Sequence, residues 1–496
     1  MANEKQAQAH AAEKTTESQA GLLDQIIDQG IRPQDEQERE TARDAVDVFA
    51  RTLVEGKVVG KDAERTLSVW IAEIDKKLSD QLNVVMHAEE FQKLEASWRG
   101  LHYLVHQSET GTSLKIRVLN ASKKDLLKDL EKASEFDQSA LFKSIYTHEF
   151  DQFGGQPYGA LIGDFEFGRH PQDIALLERI AEIAAAAHAP FISAASSKMF
   201  GLESFSDIGK PRDLAKIFDT PEYAKWKSFR ESEDSRYVGL TMPHTLMRLP
   251  YGEETVPVEA FNFEEDVDGQ DHSKYLWGNA AYAFGARLTD AFAQSGWCAT
   301  IRGVEGGGLV QGLPVHTFAT DEGEVAMKCP TEVAISDRRE KELSDLGFIS
   351  LLHCKNTDYA AFFGAQSCQK PKTYDTDEAN ANARLSTALQ YIMCTSRFAH
   401  YLKSMARDKI GSFLEKDECQ AWLNRWISQY TLANPENAGP EMKAKFPLRE
   451  ARIDVRDVKG KPGCYEAVAY LRPHYQLDEL SASLRLVAEL PAAKGG

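Results

Sequence analysis

The segment that decides the fold reads YGALIGDFEFGRHPQDIALLERIAEIAAAAHAPFISAAS and covers residues 158–196. Its first part, YGALIGDFEFG (158–168), is an apolar run of strand length. Residues 171–189 then have the apolar spacing of a helix, and PFISAAS (190–196) is a short apolar strand pattern. Strand, helix and strand in this order form a crossover unit. The sequence therefore predicts an α/β fold with a partly parallel sheet and helices packed on it.

Three helical patterns precede this unit. They are ETARDAVDVFARTLVEG (40–56), AERTLSVWIAEIDKKLSDQL (63–82) and AEEFQKLEASWRGLHYLV (88–105), and each places its large apolar residues on one stripe. The segment TSLKIRVLNAS (112–122) alternates instead, which predicts a strand.

Further helices are predicted after the crossover unit. Residues 273–296 read as one long helix, and residues 381–411 as another. Between them, a helix with Ser336 or Asp337 as its N-cap ends at Gly347 and leads into a strand. The stretch from about 200 to 265 is rich in Pro, Gly, Ser and acidic residues, and we interpret it as surface with short helices.

The C-terminal region predicts a hairpin followed by one more strand. ARIDVRDV (451–458) and CYEAVAYLRP (464–473) flank the turn KGKPG, and SASLRLVAEL (481–490) alternates again. A strand at the end of a chain needs an edge to pair with. Pairing within the same chain and donation to a neighbouring subunit both satisfy this need.

The N-terminal tail contains one apolar stripe in a polar setting. Residues 1–20 contain no large apolar residue after Met1, whereas GLLDQIIDQG (21–30) places four of them on one side of a short helix. Two helical turns are marginal alone in water. The stripe is therefore predicted to order against its own domain or in a groove of another protein.

Composition excludes several classes of protein. The net charge of −18 over 496 residues disfavours nucleic acid and anionic membranes as partners. The seven cysteines form no CxxC pair, which is typical of reduced cytosolic thiols. The sequence has no signal peptide pattern and no apolar run long enough to span a membrane.

Four candidates for chemistry do not converge on one site. His102 and His106 have zinc-ligand spacing but no third ligand, and the glycine-rich loop 303–308 lacks a P-loop signature, so a flexible loop is favoured. Asp164 and Glu166 share a face of one strand, which admits acid–base chemistry but more often means a solvated edge or an ion pair. Adjacent residues on a strand point to opposite faces, which separates His353 from Cys354.

Because these candidates do not converge, we expect no catalytic residue, no metal site and no cofactor. The residues indicate a large α/β assembly protein. The alternative is a soluble enzyme with an unrecognised site near Asp164, Glu166 and Gly306.

Several longer segments resemble the large subunit of the type VI secretion contractile sheath, the TssC or VipB family. They are WRGLHYLV (98–105), GDFEFG (163–168), PFISAASSKMFGLESF (190–205), YLWGNAAYAFGARLTDAFAQSGWCATIRGVEGGG (275–308), PTEVAISDRREKELSDLGFISLLHCKNTDYAAFFGAQSCQKP (330–371) and the C-terminal hairpin. The resemblance runs from about Gly21 to Pro491. It implies a phage-tail-sheath-like α/β fold of mixed sheets with packed helices, with long N-terminal helices and a terminal strand for inter-subunit exchange.

The resemblance also implies a domain order. It comprises a flexible tail with an ATPase-recognition helix (1–40), a helical region contacting the small sheath subunit (41–110), a central sheath domain (111–370) and an inner-sheath domain with hairpin and exchange strand (371–496).

The resemblance implies a cytoplasmic bacterial protein that is not an enzyme. Such subunits pair with a small sheath subunit (TssB- or VipA-like), and the pairs assemble with their copies into a six-start helical sheath. The sheath stands on a baseplate and surrounds an inner tube of Hcp-like hexamers. It contracts to eject that tube, and a ClpV-like AAA+ ATPase then takes it apart. Neither nucleic acid nor membrane insertion is involved.

Roles for individual residues follow from the resemblance. The N-terminal stripe matches the helix that the ATPase grips, and the terminal strand matches an arm that joins neighbouring subunits. The residues for the ATPase are Leu22, Leu23, Asp24, Ile26 and Ile27, and those for the strand are Leu484, Arg485, Leu486, Val487 and Leu490. Asp478 and Glu479 are predicted to face the inner tube.

Overall fold

A computed structural model of the chain describes residues 35–44, 63–319, 325–412, 415–461 and 463–476. The chain divides into two compact units, one of Met1–Leu82 with Pro257–Glu264 and one of Asn83–Val256 with Glu265–Gly496. In the first unit, residues 36–44 are helical. Helix α1 (Ala63–Met86) also begins in the first unit. Ser79 on α1 accepts a hydrogen bond from the backbone N–H of Glu264 at 3.4 Å.

The second unit contains nine longer helices and eight principal strands among its described residues. The helices are α2 (Glu89–His106), α3 (Lys123–Lys132), α4 (Pro171–Ala187), α5 (Ala224–Glu231), α6 (Ala281–Ser295), α7 (Asp337–Asp345), α8 (Asp377–Thr387), α9 (Leu389–Asp408) and α10 (Lys416–Ile427). The strands are β1 (Leu161–Phe167), β2 (Phe191–Ala195), β3 (Val238–Met242), β4 (Leu309–Val310), β5 (Phe348–His353), β6 (Ala360–Phe362), β7 (Leu448–Asp457) and β8 (Tyr465–Pro473). Shorter elements are the helices Ala140–Phe142, Lys143–Phe150, Ala215–Phe218 and Pro440–Lys445 and the paired strands Thr245–Leu246 with Trp277–Gly278 and Thr317–Ala319 with Val325–Met327.

A six-stranded mixed sheet forms the centre of this unit, with the strand order β1-β2-β3-β5-β6-β4. The first four strands are parallel, and β6 is antiparallel to both β5 and β4. Helix α4 connects β1 to β2; it begins with Pro171, and His188 ends it in the left-handed conformation at φ 51°. The crossover unit predicted from residues 158–196 is confirmed.

Hydrophobic side chains pack on both faces of this sheet because successive residues of a strand point to opposite sides. On β2, Phe191 belongs to the core that contains α4, and Ile192 belongs to the core that contains α6 and α9. Phe348 and Ile349 on β5 divide in the same way. Buried parallel strands covered by helices on both faces are typical of α/β proteins.

The hairpin of β7 and β8 confirms the C-terminal prediction. Its ladder runs from Glu450 opposite Arg472 to Asp457 opposite Tyr465. Ile453 and Val455 on its inner face are buried in a third core with Leu423 and Ile427 of α10. The core-facing positions predicted from alternation are therefore the ones that pack against a helix.

Three other predictions are wrong in detail. Residues 273–296 form a helix only from Ala281, because Trp277–Gly278 pairs as a short strand. Residues 381–411 form two helices, since Ala388 has an extended conformation and makes an isolated bridge with Gln366. The region 200–265 contributes β3, a fully buried inner strand of the sheet, as well as surface.

The segment 112–122 is extended but pairs with no strand in the described part of the chain. Leu114 and Ile116 are half-buried, whereas Val118 is 68 % exposed and Leu119 is 65 % exposed. Its capping residue, Ser122, begins α3 with a reciprocal capping box to Asp125. The predicted strand thus has the right backbone shape and lacks a partner.

Candidate functional sites: a groove, two ion clusters and a strand edge

Helix α2 buries one face and leaves large apolar side chains on another face exposed. Ala96, Gly100 and Leu104 are buried, whereas Leu94 is 57 % exposed and Trp98 is 66 % exposed. Gly100 lies against the ring of Tyr282 on α6, and a Cβ at this position would come within 2.3 Å of that ring. The amphipathic stripe predicted from the sequence is present, but it faces away from the chain's own core. An exposed apolar surface of this kind marks an interaction site.

A groove of about 1690 Å³ lies beside this stripe. Its walls include Leu94 and Trp98 of α2, the extended segment 112–121, β1 and residues of α6 and α9. Phe153, which is 74 % exposed, also lines it. Pockets for small molecules measure roughly 300–1000 Å³. The size and the apolar lining of this groove therefore fit a macromolecular partner.

The charge of the groove contrasts with that of the whole chain, which is −18. Five basic and three acidic side chains line it. They are Lys115, Arg117, Arg397, Lys403 and Arg407, with Glu149, Asp164 and Asp408. Arg117 is paired with Glu149, and Lys403 is paired with Asp151 at 2.8 Å, so the remaining charges of the lining nearly balance.

A buried cluster of charged residues ties α2 to the loop that follows Thr245–Leu246. The Arg248 guanidinium donates to both carboxylate oxygens of Glu265, at 2.6 and 3.0 Å, and to Glu95 Oε1 of α2 at 2.8 Å. The side chain of Glu265 is only 1 % exposed. Burial raises the pKa of Glu95, but hydrogen bonds from Arg248 and Arg99 outweigh it, so that the pKa is lowered overall. The cluster holds α2 in position while its apolar stripe stays exposed.

A second cluster joins the C-terminal part of β1 to the segments at 244 and 332. His244 lies between two carboxylates, with Nε2 at 2.9 Å from Glu166 Oε1 and Nδ1 at 2.5 Å from Glu332 Oε2. Burial lowers the pKa of His244, but its hydrogen bonds to Glu166 and Glu332 dominate and raise the pKa to about 10. The imidazolium therefore donates from both nitrogens and clamps the two chain segments together.

Raising the pH is expected to weaken the protein through His244. A pKa raised in the folded state means that the stabilisation is complete below pH 6.5 and is lost as the pH rises from 6.5 towards 10. In urea unfolding followed by tryptophan fluorescence, the free energy of unfolding should fall by about 2–5 kcal/mol over this range. The variant His244→Gln should show little of that slope, and the exposed-site variant His102→Gln should keep it; equal slopes in all three proteins would contradict the assignment.

The hairpin offers one open edge and one closed edge. Asn424 of α10 accepts from the backbone N–H of Ile453 at 2.9 Å and donates to its carbonyl at 2.7 Å, and Gln420 accepts from the N–H of Val455 at 3.0 Å. Ile453 and Val455 lie on β7, so α10 occupies that edge of the hairpin. On β8, Ala467, Ala469 and Leu471 lie opposite Val455, Ile453 and Ala451, so their backbone groups point to the other edge of the hairpin. Their outward backbone groups have no hydrogen-bond partner among the described residues.

The predicted chemical candidates do not assemble into a site. His102 and His106 stack at 3.7 Å, and no cluster of metal-ligand residues occurs in the described ranges. Glu166 is held by His244, while His353 and Cys354 bond separately to Thr357 and Tyr359. The loop 303–308 is a hydrogen-bonded turn, with the N–H groups of Gly303 and Gly308 donating to Phe362 and Gly303 carbonyls, so these groups are not available to a phosphate.

Sequence reasoning missed His244, Glu332, Arg248 and Glu265 because their partners lie far away along the chain. The predicted residues 22–27, 478, 479 and 484–490 lie outside the described residues, so their roles stay predictions.

Comparison with known proteins decides the family. The profile described as EvpB/VC_A0108, tail sheath N-terminal domain (VipB), matches residues 68–369, and the profile described as tail sheath gpW/gp25-like domain (VipB_2) matches residues 378–490. The chain belongs to the VipB family of tail sheath proteins. It is 54 % identical over 484 residues to the "Type VI secretion system sheath protein TssC1" of Pseudomonas aeruginosa PAO1, an alignment that covers 97 % of both chains. The resemblance stated from the sequence is confirmed, and the chain is a structural subunit of a type VI secretion sheath.

Two solved structures are similar at low identity. A chain of the anti-feeding prophage baseplate matches with a TM-score of 0.38 at 7 % identity, covering 76 % of this chain and 84 % of the other. A chain of the contracted helical sheath of the same particle matches with a TM-score of 0.29 at 10 % identity, covering 64 % and 67 %. No described helix of this VipB-family chain is long and apolar enough to cross a membrane.

Proposed function

We propose that this chain pairs with a small sheath subunit in the bacterial cytoplasm and that the pairs polymerise around an inner tube. The sheath then contracts to eject the tube, and an AAA+ ATPase recycles the subunits. The single observation that best supports pairing is the apolar stripe of α2 beside an open groove. A subunit designed to stay alone would leave an aggregation hazard there.

The hairpin supports the proposal of strand exchange between neighbouring copies. A terminal strand at 481–490 has the alternation to extend a sheet, and the outer edge of β8 has no partner among the described residues. Main-chain hydrogen bonds suit this task, because they hold neighbours together while side-chain contacts between domains change during contraction.

Two further roles belong to the segments outside the described residues. The helix with Leu22, Leu23, Asp24, Ile26 and Ile27 is proposed to bind the ATPase through its apolar side. Asp478 and Glu479 are proposed to face the inner tube, where charge complementarity gives contacts weak enough to break during firing.

Co-expression with the small sheath subunit tests the proposal. Negative-stain electron microscopy is expected to show tubules, and adding the ATPase with ATP should dissolve them. Tubules of the variant Leu23→Ser/Ile27→Ser should form normally and persist, because the exchanged residues remove the apolar grip of the stripe. A control variant, Ala7→Ser/Ala11→Ser, changes the polar tail only and should be dissolved like the wild type. Absence of tubules would refute the proposed pairing and polymerisation, and equal dissolution would refute only the ATPase site.

A further inference from the structure

The backbone of β1 has an unused edge. Leu161 donates its N–H to the Pro190 carbonyl, and the Phe167 carbonyl accepts from Ser196, so the odd-numbered residues face β2. Ile162 and Glu166 face the other way, on either side of a register irregularity in the pairing of β1 with β2. Lys123 Nζ donates to the carbonyl of Glu166 at 2.7 Å, which covers only the last part of this edge. β1 is the terminal strand of the sheet, and its edge at Ile162 has no strand partner in the described ranges.

The opposite wall of the groove is also an extended backbone without a partner. Residues 115–120 have no backbone hydrogen bond in the described part of the chain. Their side chains are nevertheless fixed, because Lys115 Nζ donates to Gln156 at 2.9 Å and Arg117 pairs with Glu149. Ile116 packs on the same buried cluster as Ile162 of β1. Two unpaired, extended backbones therefore border one groove.

We propose that this groove receives a strand of a second polypeptide, which is inserted between residues 114–120 and β1 and hydrogen-bonded to both. The inference rests on the proposed pairing and assigns the inserted strand to the small sheath subunit. Adjacent strands lie about 4.8 Å apart, so one strand between two walls satisfies both unpaired edges. A helix in the same place would satisfy its own backbone and leave both edges unpaired.

The lining of the groove specifies the chemistry of that strand. Apolar side chains on one face would cover Val118, Leu119 and Trp98, which are otherwise exposed. The expected occupant is thus a strand that alternates apolar and polar residues.

Hydrogen exchange in the complex measures backbone pairing directly. After co-purification with the small subunit, amides of Ile116–Val118 and of Ile162 are to be measured by mass spectrometry with residue-level fragmentation. Insertion predicts protection at both walls, with exchange at least about 100-fold slower than that of an unpaired amide. The exposed amide of Gly209, outside the groove, serves as the internal reference.

Each outcome decides one question. Protection at both walls supports strand insertion. Protection at one wall or at neither, in a complex that has formed, overturns insertion and leaves the pairing itself intact. Failure of the wild-type chains to co-purify refutes the proposed pairing, and the inference with it.

A matched pair of variants adds a second readout. Val118→Asp places a charge in the groove and should lower the amount of co-purified small subunit by about tenfold or more. Val304→Asp makes the same change at a residue that is 48 % exposed and lies outside the groove, and it should have little effect. Equal recovery with both variants would overturn the assignment of the groove.

Discussion

Replacing Arg248 with methionine is expected to lower the free energy of unfolding by about 3–5 kcal/mol, because it leaves the buried carboxylate of Glu265 without its arginine. Glu95 keeps Arg99, whose Nε donates to Glu95 Oε1 at 2.7 Å. The side chain of Glu265 is 1 % exposed and that of Glu95 is 14 % exposed, and both are bonded to Arg248. The backbone N–H of Tyr251 also donates to Glu265 at 2.9 Å, but one amide does not neutralise a buried charge. Urea unfolding at pH 7 measures the effect.

Two further proteins test the cause of that loss. Arg452→Met removes an exposed arginine whose partner is Asp454, and it should change the free energy of unfolding by no more than about 0.5 kcal/mol. The triple variant Arg248→Met/Glu265→Gln/Glu95→Gln removes the charges together and should recover much of the stability. If the triple variant is as unstable as Arg248→Met, the loss comes from packing and not from unpaired charge.

Local patterns predicted the elements whose partners lie nearby in sequence. The crossover unit at 158–196 and the hairpin of β7 and β8 both follow from periodicity and turn residues. β3 escaped prediction because the short apolar run VGLTM (238–242) is enclosed by surface-like sequence, and only its pairing with β2 and β5 makes it a central strand. Pairing partners of this kind are set by tertiary structure, which a local window does not contain.

The exposed stripe of α2 illustrates a second limit. Its apolar spacing predicts a face that is buried, but the spacing does not say by which molecule. In the structure Gly100 and Leu104 pack on the chain itself, while Leu94 and Trp98 remain exposed. The same limit applies to residues 112–122. Their alternation predicts a strand, but it does not indicate which chain pairs with that strand. The sequence patterns thus predict that these residues are covered, and the described part of the single chain leaves them uncovered.

The C-terminal exchange strand is expected to add to β8 and not to β7. Strand addition needs outward backbone groups that are free, and α10 already bonds those of Ile453 and Val455 through Asn424 and Gln420. Val468 and Asp454 pair directly with each other across the hairpin and so define matched positions on its two strands. With the exposed cysteines Cys354 and Cys464 changed to serine, a cysteine at either position can be tested against one in the terminal strand.

In tubules formed with the small subunit, Val468→Cys should form a disulfide with a cysteine placed at Arg485, Val487 or Glu489, according to register. Cross-linked dimers on a denaturing gel report this bond between subunits, because directly paired residues on adjacent strands have Cβ atoms about 4.5–5.5 Å apart. Asp454→Cys, one strand further from the open edge, should give no more than background with the same three partners. Cross-linking through Asp454 would place the incoming strand on β7 and contradict the role of Asn424. A bond through Val468 within a single chain would mean that each subunit completes its own sheet, in which case the hairpin could not join neighbouring subunits.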